Sequence, residues 1–158
     1  MDQKALFLSY WEKETPATQK VIARIPEGSD YRPDPKSRTA REIAWLIVRE
    51  QMTLVEGFEK GVMDWSEVPA PPTMTEVREA YDTVNADAVA RLRAVDATRW
   101  DDDMAFLFQG AEAMRSPGYE MAWGFLLDLI HHRGQLTTYL RPMGATVPQI
   151  YGPSADEP

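Results

Sequence analysis

The sequence predicts an all-α fold: an antiparallel four-helix bundle with an irregular segment before its last helix. Three observations predict it. No proline occurs between Pro35 and Pro69 or between Pro72 and Pro117, and helix interiors exclude proline because it lacks an N–H and clashes with the preceding turn. Apolar residues recur at three- and four-residue spacing inside these windows. Cap residues stand at their ends. At 158 residues the chain is the size of one ordinary domain, so residues 1–158 are read as a single unit. A chain this long buries roughly 70% of its unfolded surface and needs no staples.

The first helical segment is expected from about Asp2 to about Ile25, with Val21, Ile22 and Ile25 at helical spacing. Thr15-Pro16 inside it is a helix-start signal, which predicts a kink or two short helices in line. Pro26 to Pro35 reads as a loop, since residues before proline favour extended backbone. Ser37 or Thr39 caps a second helix from about Arg38 to about Lys60, with Ile43, Ile47, Leu54 and Phe58 as its apolar stripe and Gly61 as C-cap. Val68 to Pro72 is a rigid connector. Thr73-Met-Thr-Glu76 has the capping-box pattern and opens a third helix reaching about Val95. Residues 96–116 are less regular. Asp101 to Asp103 reads as a solvated turn, and Met104 to Phe108 as a short strand or a packed loop. The fourth helix starts near Pro117-Gly118-Tyr119 and runs to about Arg141, where Pro142 and Gly144 end it. The tail from Val147 is extended, and its Ile150-Tyr151 pair is a candidate for packing back on the bundle.

Charge and composition exclude several function classes. The formal net charge is −8, from 25 acidic and 17 basic side chains. Nucleic-acid affinity rests largely on Lys and Arg contacts to phosphate, and here the arginines are scattered, so no nucleic-acid role is expected. There is no cysteine, hence no disulfide framework, thiolate metal site or cysteine nucleophile. The opening residues hold a short apolar run, Ala5 to Leu8, too short for a secretory leader. No stretch approaches the roughly 18 apolar residues of a membrane span. A cytoplasmic location is expected by elimination.

The chemistry-bearing segment is Asp128-Leu-Ile-His131-His132-Arg-Gly-Gln135, which holds the chain's only two histidines. Asp128 and His132 are four apart on one helix and so share a face. A carboxylate and an imidazole at that spacing can grip one divalent cation. The same spacing equally suits a structural pair that hydrogen-bonds internally, and spacing alone leaves both readings open. His131 points roughly 100° away and reads as a surface residue.

The string His132-Arg133-Gly134-Gln135, Tyr139-Leu140-Arg141, Gly144, Val147-Pro148 resembles the last helix of the DinB-like superfamily. Ser37-Arg-Thr-Ala-Arg-Glu-Ile-Ala-Trp-Leu46 is similar to that family's second helix, and the resemblance covers nearly the whole chain. It implies a four-helix bundle that binds a divalent metal through three histidines, one on the second helix and two spaced four apart on the last. By position these fall on Leu46, Asp128 and His132. The last matches, aspartate can still coordinate through oxygen, and leucine cannot coordinate. Glu50 lies one turn beyond Leu46 on the same face and is the substitute ligand. Glu50, Asp128 and His132 would suit Zn²⁺, Ni²⁺, Mn²⁺ or Fe²⁺ with open positions left for other ligands. The competing roles for Glu50 are a salt bridge with Arg133 and simple exposure.

Two functions are expected as alternatives, the first implied by the resemblance. One is a metal-dependent thiol S-transferase-like enzyme acting with a low-molecular-weight thiol. The other is a non-catalytic small-molecule or metal-binding bundle protein, a homodimer through exposed apolar helix faces. Trp45, Met121, Trp123 and Tyr139 read as core residues that are also candidates to line a pocket. Gly134 predicts a close helix contact. Arg133 and Arg141 read as surface ion pairs or as an anion site.

Overall fold

The structure, a computed structural model, describes residues 2–158. Asp2 caps the first helix by accepting from the Ala5 N–H at 3.0 Å, and α1 runs Gln3–Arg24. Pro16 sits inside it without ending it. Of the two outcomes expected at Thr15-Pro16, two short helices in line are excluded, since α1 is one continuous helix. Proline removes one backbone bond, but Trp11, Ala17, Thr18 and Val21 are buried on either side of it, and their packing holds the helix together.

α2 spans Ala40–Lys60 and starts at a capping box: the Thr39 hydroxyl accepts from the Glu42 N–H while Glu42 accepts from the Thr39 N–H. It ends at Gly61 in the left-handed conformation. After strand β1 (Val62–Trp65), α3 spans Met74–Ala94 behind the Thr73/Glu76 capping box. A single turn, α4 (Thr98–Asp101), leads to β2 (Asp103–Phe108), β3 (Ala111–Pro117) and α5 (Gly118–Leu140). A 3₁₀ turn, Arg141–Met143, closes the last helix.

The all-α expectation is overturned by a three-stranded mixed sheet in the order β1-β2-β3. β1 pairs with β2 in parallel, with Met63 opposite Phe106; β2 pairs with β3 antiparallel, with Phe106 opposite Met114. The β2–β3 turn is Gln109-Gly110, with φ of 51° and 81°. Two positive φ values in a two-residue loop match the right-handed strand twist.

Helix directions also depart from a simple antiparallel bundle. α1 and α2 each pack against α3 and α5. Lys4 at the start of α1 bonds the carbonyl of Val95, just past the end of α3, so that pair is antiparallel. Arg91 late in α3 pairs with Glu59 late in α2, so those two run in parallel. Phe7 meets Trp123 near the starts of α1 and α5, while Tyr139 late in α5 reaches Arg38 ahead of α2. The order along the chain is up, down, down, up.

One core fills the space between the helices, with Phe7, Ile22, Ile47, Leu54, Phe58, Tyr81, Trp100 and Leu136 all buried. Phe58 and Trp100 stack at 4.3 Å between ring centres. The sheet covers one side of the α2/α5 pair. β1 lies close on α2 because Gly57 has no side chain: a Cβ there would fall 2.0 Å from Met63 Sδ. Phe106 of β2 meets Phe125 of α5 at 6.2 Å.

The expected return of Ile150-Tyr151 is present. Ile150 packs on the core. Tyr151 donates its hydroxyl to Glu14 at 2.7 Å and accepts from Arg133.

Candidate metal centre

Helix periodicity puts Glu50 of α2 opposite Asp128 and His132 of the antiparallel α5. One ligand atom from each of the three lies within 4.8 Å of the others. Their surroundings differ. The Glu50 side chain is 4% exposed and that of His132 13%, whereas Asp128 is 56% exposed. The site is thus a hole with a wet rim: Glu50 at the bottom, His132 on the wall, Asp128 at the mouth. The Asp128-His132 face is buried at one end only.

His132 is held in one orientation. Its Nδ1 lies 3.0 Å from the Asp128 backbone carbonyl and 3.3 Å from Asp128 Oδ1. A carbonyl oxygen can only accept, so Nδ1 carries the hydrogen and donates it. Nε2 keeps its lone pair and faces Glu50 Oε1 at 3.9 Å. A backbone acceptor that fixes tautomer and ring angle is the usual support of a metal-binding imidazole.

Electrostatics reinforce the arrangement. Burial, then the Asp128 charge and a hydrogen bond with Asp128, push the Glu50 carboxyl up to about 9, against a smaller opposing pull from Arg38. Burial chiefly lowers the His132 imidazole below its usual range; the Asp128 charge opposes this, and His131 and Arg38 add to it. At neutral pH Glu50 holds a proton and His132 is uncharged. Glu50 Oε2 is buried with no hydrogen-bond partner. An orphaned buried carboxyl oxygen is costly, and a divalent cation that displaces the proton would satisfy it. Two carboxylates and an imidazole are a donor set that Zn²⁺, Mn²⁺, Fe²⁺ and Ni²⁺ accept, so the residues present fit such an ion.

The site opens into a cavity of about 660 Å³ between α2, α5 and the sheet. Phe106, Phe108, Phe125, Met114 and Trp65 form its apolar wall. That volume and lining are typical of small-molecule sites. Leu46 also faces this cavity, where the family resemblance implies a histidine.

Several expectations resolve here. Arg133 does not pair with Glu50. It is 2% exposed and buried on another face of α5, 2.6 Å from Glu14. Arg141 pairs with Asp156. Met121 lines the cavity, whereas Trp45 lines only an adjoining one and donates to the Val68 carbonyl. Trp123 packs on Phe7 and Tyr10, and Tyr139 on Tyr31. His131 is exposed. The close contact expected at Gly134 is absent, since a Cβ there meets nothing within 4 Å. The residues not foreseen are those of the sheet wall and Arg38. The apolar run Met104 to Phe108 was their one visible sign.

A bundle that joins a carboxylate-histidine cluster to an apolar cavity defines a class of helical proteins with a candidate divalent-metal pocket. The DinB family profile matches residues 1–158. This chain belongs to the DinB family. It is 29% identical over 161 residues to the uncharacterized protein YrdA of Bacillus subtilis strain 168, covering 96% of this chain and 89% of that one. It is similar to the crystal structure of a DinB-like protein from Bacillus cereus ATCC 10987, with a TM-score of 0.72 at 25% identity over 92% and 95% of the two chains. The DinB-like protein YjoA of Bacillus subtilis shares the fold, with a TM-score of 0.74 at 19% identity over 93% and 98%. None of the helices described is long and apolar enough to cross a membrane.

Proposed function

We propose that this protein holds one divalent transition-metal ion through Glu50, Asp128 and His132 and acts on a small molecule in the adjoining cavity, with thiol transfer as the reaction class. The observation that carries the reading is the convergence of three ligand atoms from two helices within 4.8 Å, one of them on a buried carboxylate whose second oxygen has no partner. A bound ion would supply Lewis acidity, lowering the pKa of a coordinated thiol so that it is a thiolate near neutral pH.

The chain's own residues do the rest. Glu50 releases its proton to become a ligand, which couples binding to pH. His132 needs no such loss, since burial keeps it neutral. The Asp128 carbonyl fixes the His132 ring. Phe106, Phe125 and Trp65 exclude water from one side of the site and offer apolar surface to the acceptor. Leu46 adds no donor, so Glu50, Asp128 and His132 are the residues that would hold the ion.

The same leucine favours a second reading, a binding protein without turnover, because it removes the donor that the resemblance implies. Metal analysis of the purified protein, then thiol consumption with an electrophilic acceptor with and without added Zn²⁺ or Mn²⁺, separates them. Metal-dependent thiol consumption lost in His132→Ala supports the enzyme. Metal uptake without consumption leaves the binding protein. No uptake overturns both metal readings.

A further inference from the structure

The face of α5 that carries two of the metal ligands continues beyond them. Glu120, Gly124, Asp128 and His132 are each four apart, share one face of the helix, and all line the same cavity. Gly124 leaves the middle of that face bare, since a Cβ there would meet nothing within 4 Å. Glu120 stands about 12 Å along the helix axis from Asp128. The cavity therefore extends past the metal centre and has an acid of its own at the far end.

The two ends differ in charge. Among the described residues that line the cavity, Arg38 is the one permanent cation. It lies 3.8 Å from Glu67 and also acts on Glu50 and His132, so it belongs to the metal end. A divalent ion with Glu50 and Asp128 makes a neutral group, and Arg38 offsets Glu67. Without the ion, the acids at that end only add to the negative side. The adjoining cavity brings one more acid and one more base, Glu42 and Arg49. Glu120 is left uncompensated in either state. It accepts from the neutral Tyr119 hydroxyl at 3.3 Å, and the nearest base in sequence, Arg115, is taken up by Glu112 at 2.7 Å. Ser116, at the end of β3, lines the same cavity, and its Oγ is buried with no hydrogen-bond partner.

We infer that the ligand of this cavity carries a protonated amine on an apolar body: Glu120 and the Ser116 hydroxyl receive the amine, the body lies over Gly124 against Phe106 and Phe125, and the other end reaches the metal centre. An ammonium group donates three hydrogen bonds and accepts none, which matches a carboxylate and a hydroxyl oxygen. Aromatic ring faces add attraction for a cation. The inference rests on the proposed function in taking this cavity as the ligand site, and it names the chemical class of the acceptor.

The test uses the full-length chain, metal-free and Zn²⁺-loaded, with three probes of one shape: 3-phenylpropylamine, 3-phenylpropanamide and 3-phenylpropanoate, each followed by NMR titration at neutral pH. The amine is expected to bind about fivefold more tightly than the amide in both forms, as suits a charge-assisted bond at a partly exposed site, with the carboxylate weakest in the metal-free form. Glu120→Gln removes the preference for the amine and leaves amide binding unchanged. Gly124→Leu fills the middle of the cavity and weakens all three probes while Zn²⁺ uptake persists. No binding, equal binding of amine and amide, or affinities untouched by Gly124→Leu would overturn the inference. So would an amine preference that survives Glu120→Gln and disappears in Asp128→Asn, which places the ammonium at the metal centre and leaves the metal reading standing. Conversely, a Glu120-dependent preference in a chain that takes up no Zn²⁺ overturns only the metal reading.

Discussion

Glu50→Gln separates the proton on Glu50 from every other titrating group. The folded chain places this carboxyl at about 9, against an ordinary 4.5, because it is buried beside Asp128. The folded state therefore keeps a proton that the unfolded state gives up between those values. The sign follows: stability from this group is fully present below pH 4.5 and is lost as pH rises towards 9. One pH unit is worth about 1.4 kcal/mol, so metal-free protein loses on the order of 4 kcal/mol from this group alone between about pH 5 and 8. Glutamine has nearly the shape of the protonated acid and does not titrate. Urea unfolding of both proteins in EDTA across that range gives the difference in unfolding free energy, from which the other groups cancel. The variant is expected to gain on the wild type steadily as pH rises. Parallel stability curves would refute the reasoning, since they would mean that Glu50 titrates alike in both states.

Three further predictions follow from particular side chains. Leu46→His adds an imidazole to the cavity that holds the three candidate ligands, and Zn²⁺ affinity measured by competition with a chelating dye is expected to rise at least tenfold; no change would show that position 46 is out of reach of the ion. Gly134→Ala places a methyl group in open space inside α5, so thermal unfolding should show a gain of about 0.5–1 kcal/mol, and a loss would reveal a contact there. Arg133→Leu strands Glu14 without its buried partner, which should cost about 3–5 kcal/mol by urea denaturation, whereas a cost below about 1 kcal/mol would show the pair to be solvent-screened.

The helices were legible because their signals are local. The Thr73/Glu76 capping box, Gly61 beyond α2 and Pro142 beyond α5 all act within a few residues of the bounds they set. Of the sheet only β2 was legible, as the apolar run Met104 to Phe108 that allowed a short strand. β1 is four residues long and pairs in parallel with a strand some 40 residues away. β3, Ala-Glu-Ala-Met-Arg-Ser-Pro, is mostly exposed and shows no alternation, and Gln109 is an unusual residue for a turn with positive φ. Pro16 does not divide α1 in two, because a local breaker is outweighed by burial on both sides of it. At the site, Asp128 and His132 were readable from their spacing, and Glu50 only through the position of Leu46. Arg133 looked like a surface charge because its partner Glu14 lies far away in sequence. Arg38 carried no motif, and only the packing of the sheet against α2 and α5 gives it a groove.

The account stands on a cation held between α2 and α5, and isothermal titration of the metal-free chain with Zn²⁺ at neutral pH tests that most directly. One ion per chain is predicted, with binding weakened at least about tenfold by Glu50→Gln and by His132→Ala, while both variants keep the wild-type circular dichroism. Equal affinity and stoichiometry in all three proteins, or no uptake by the wild type, would contradict it.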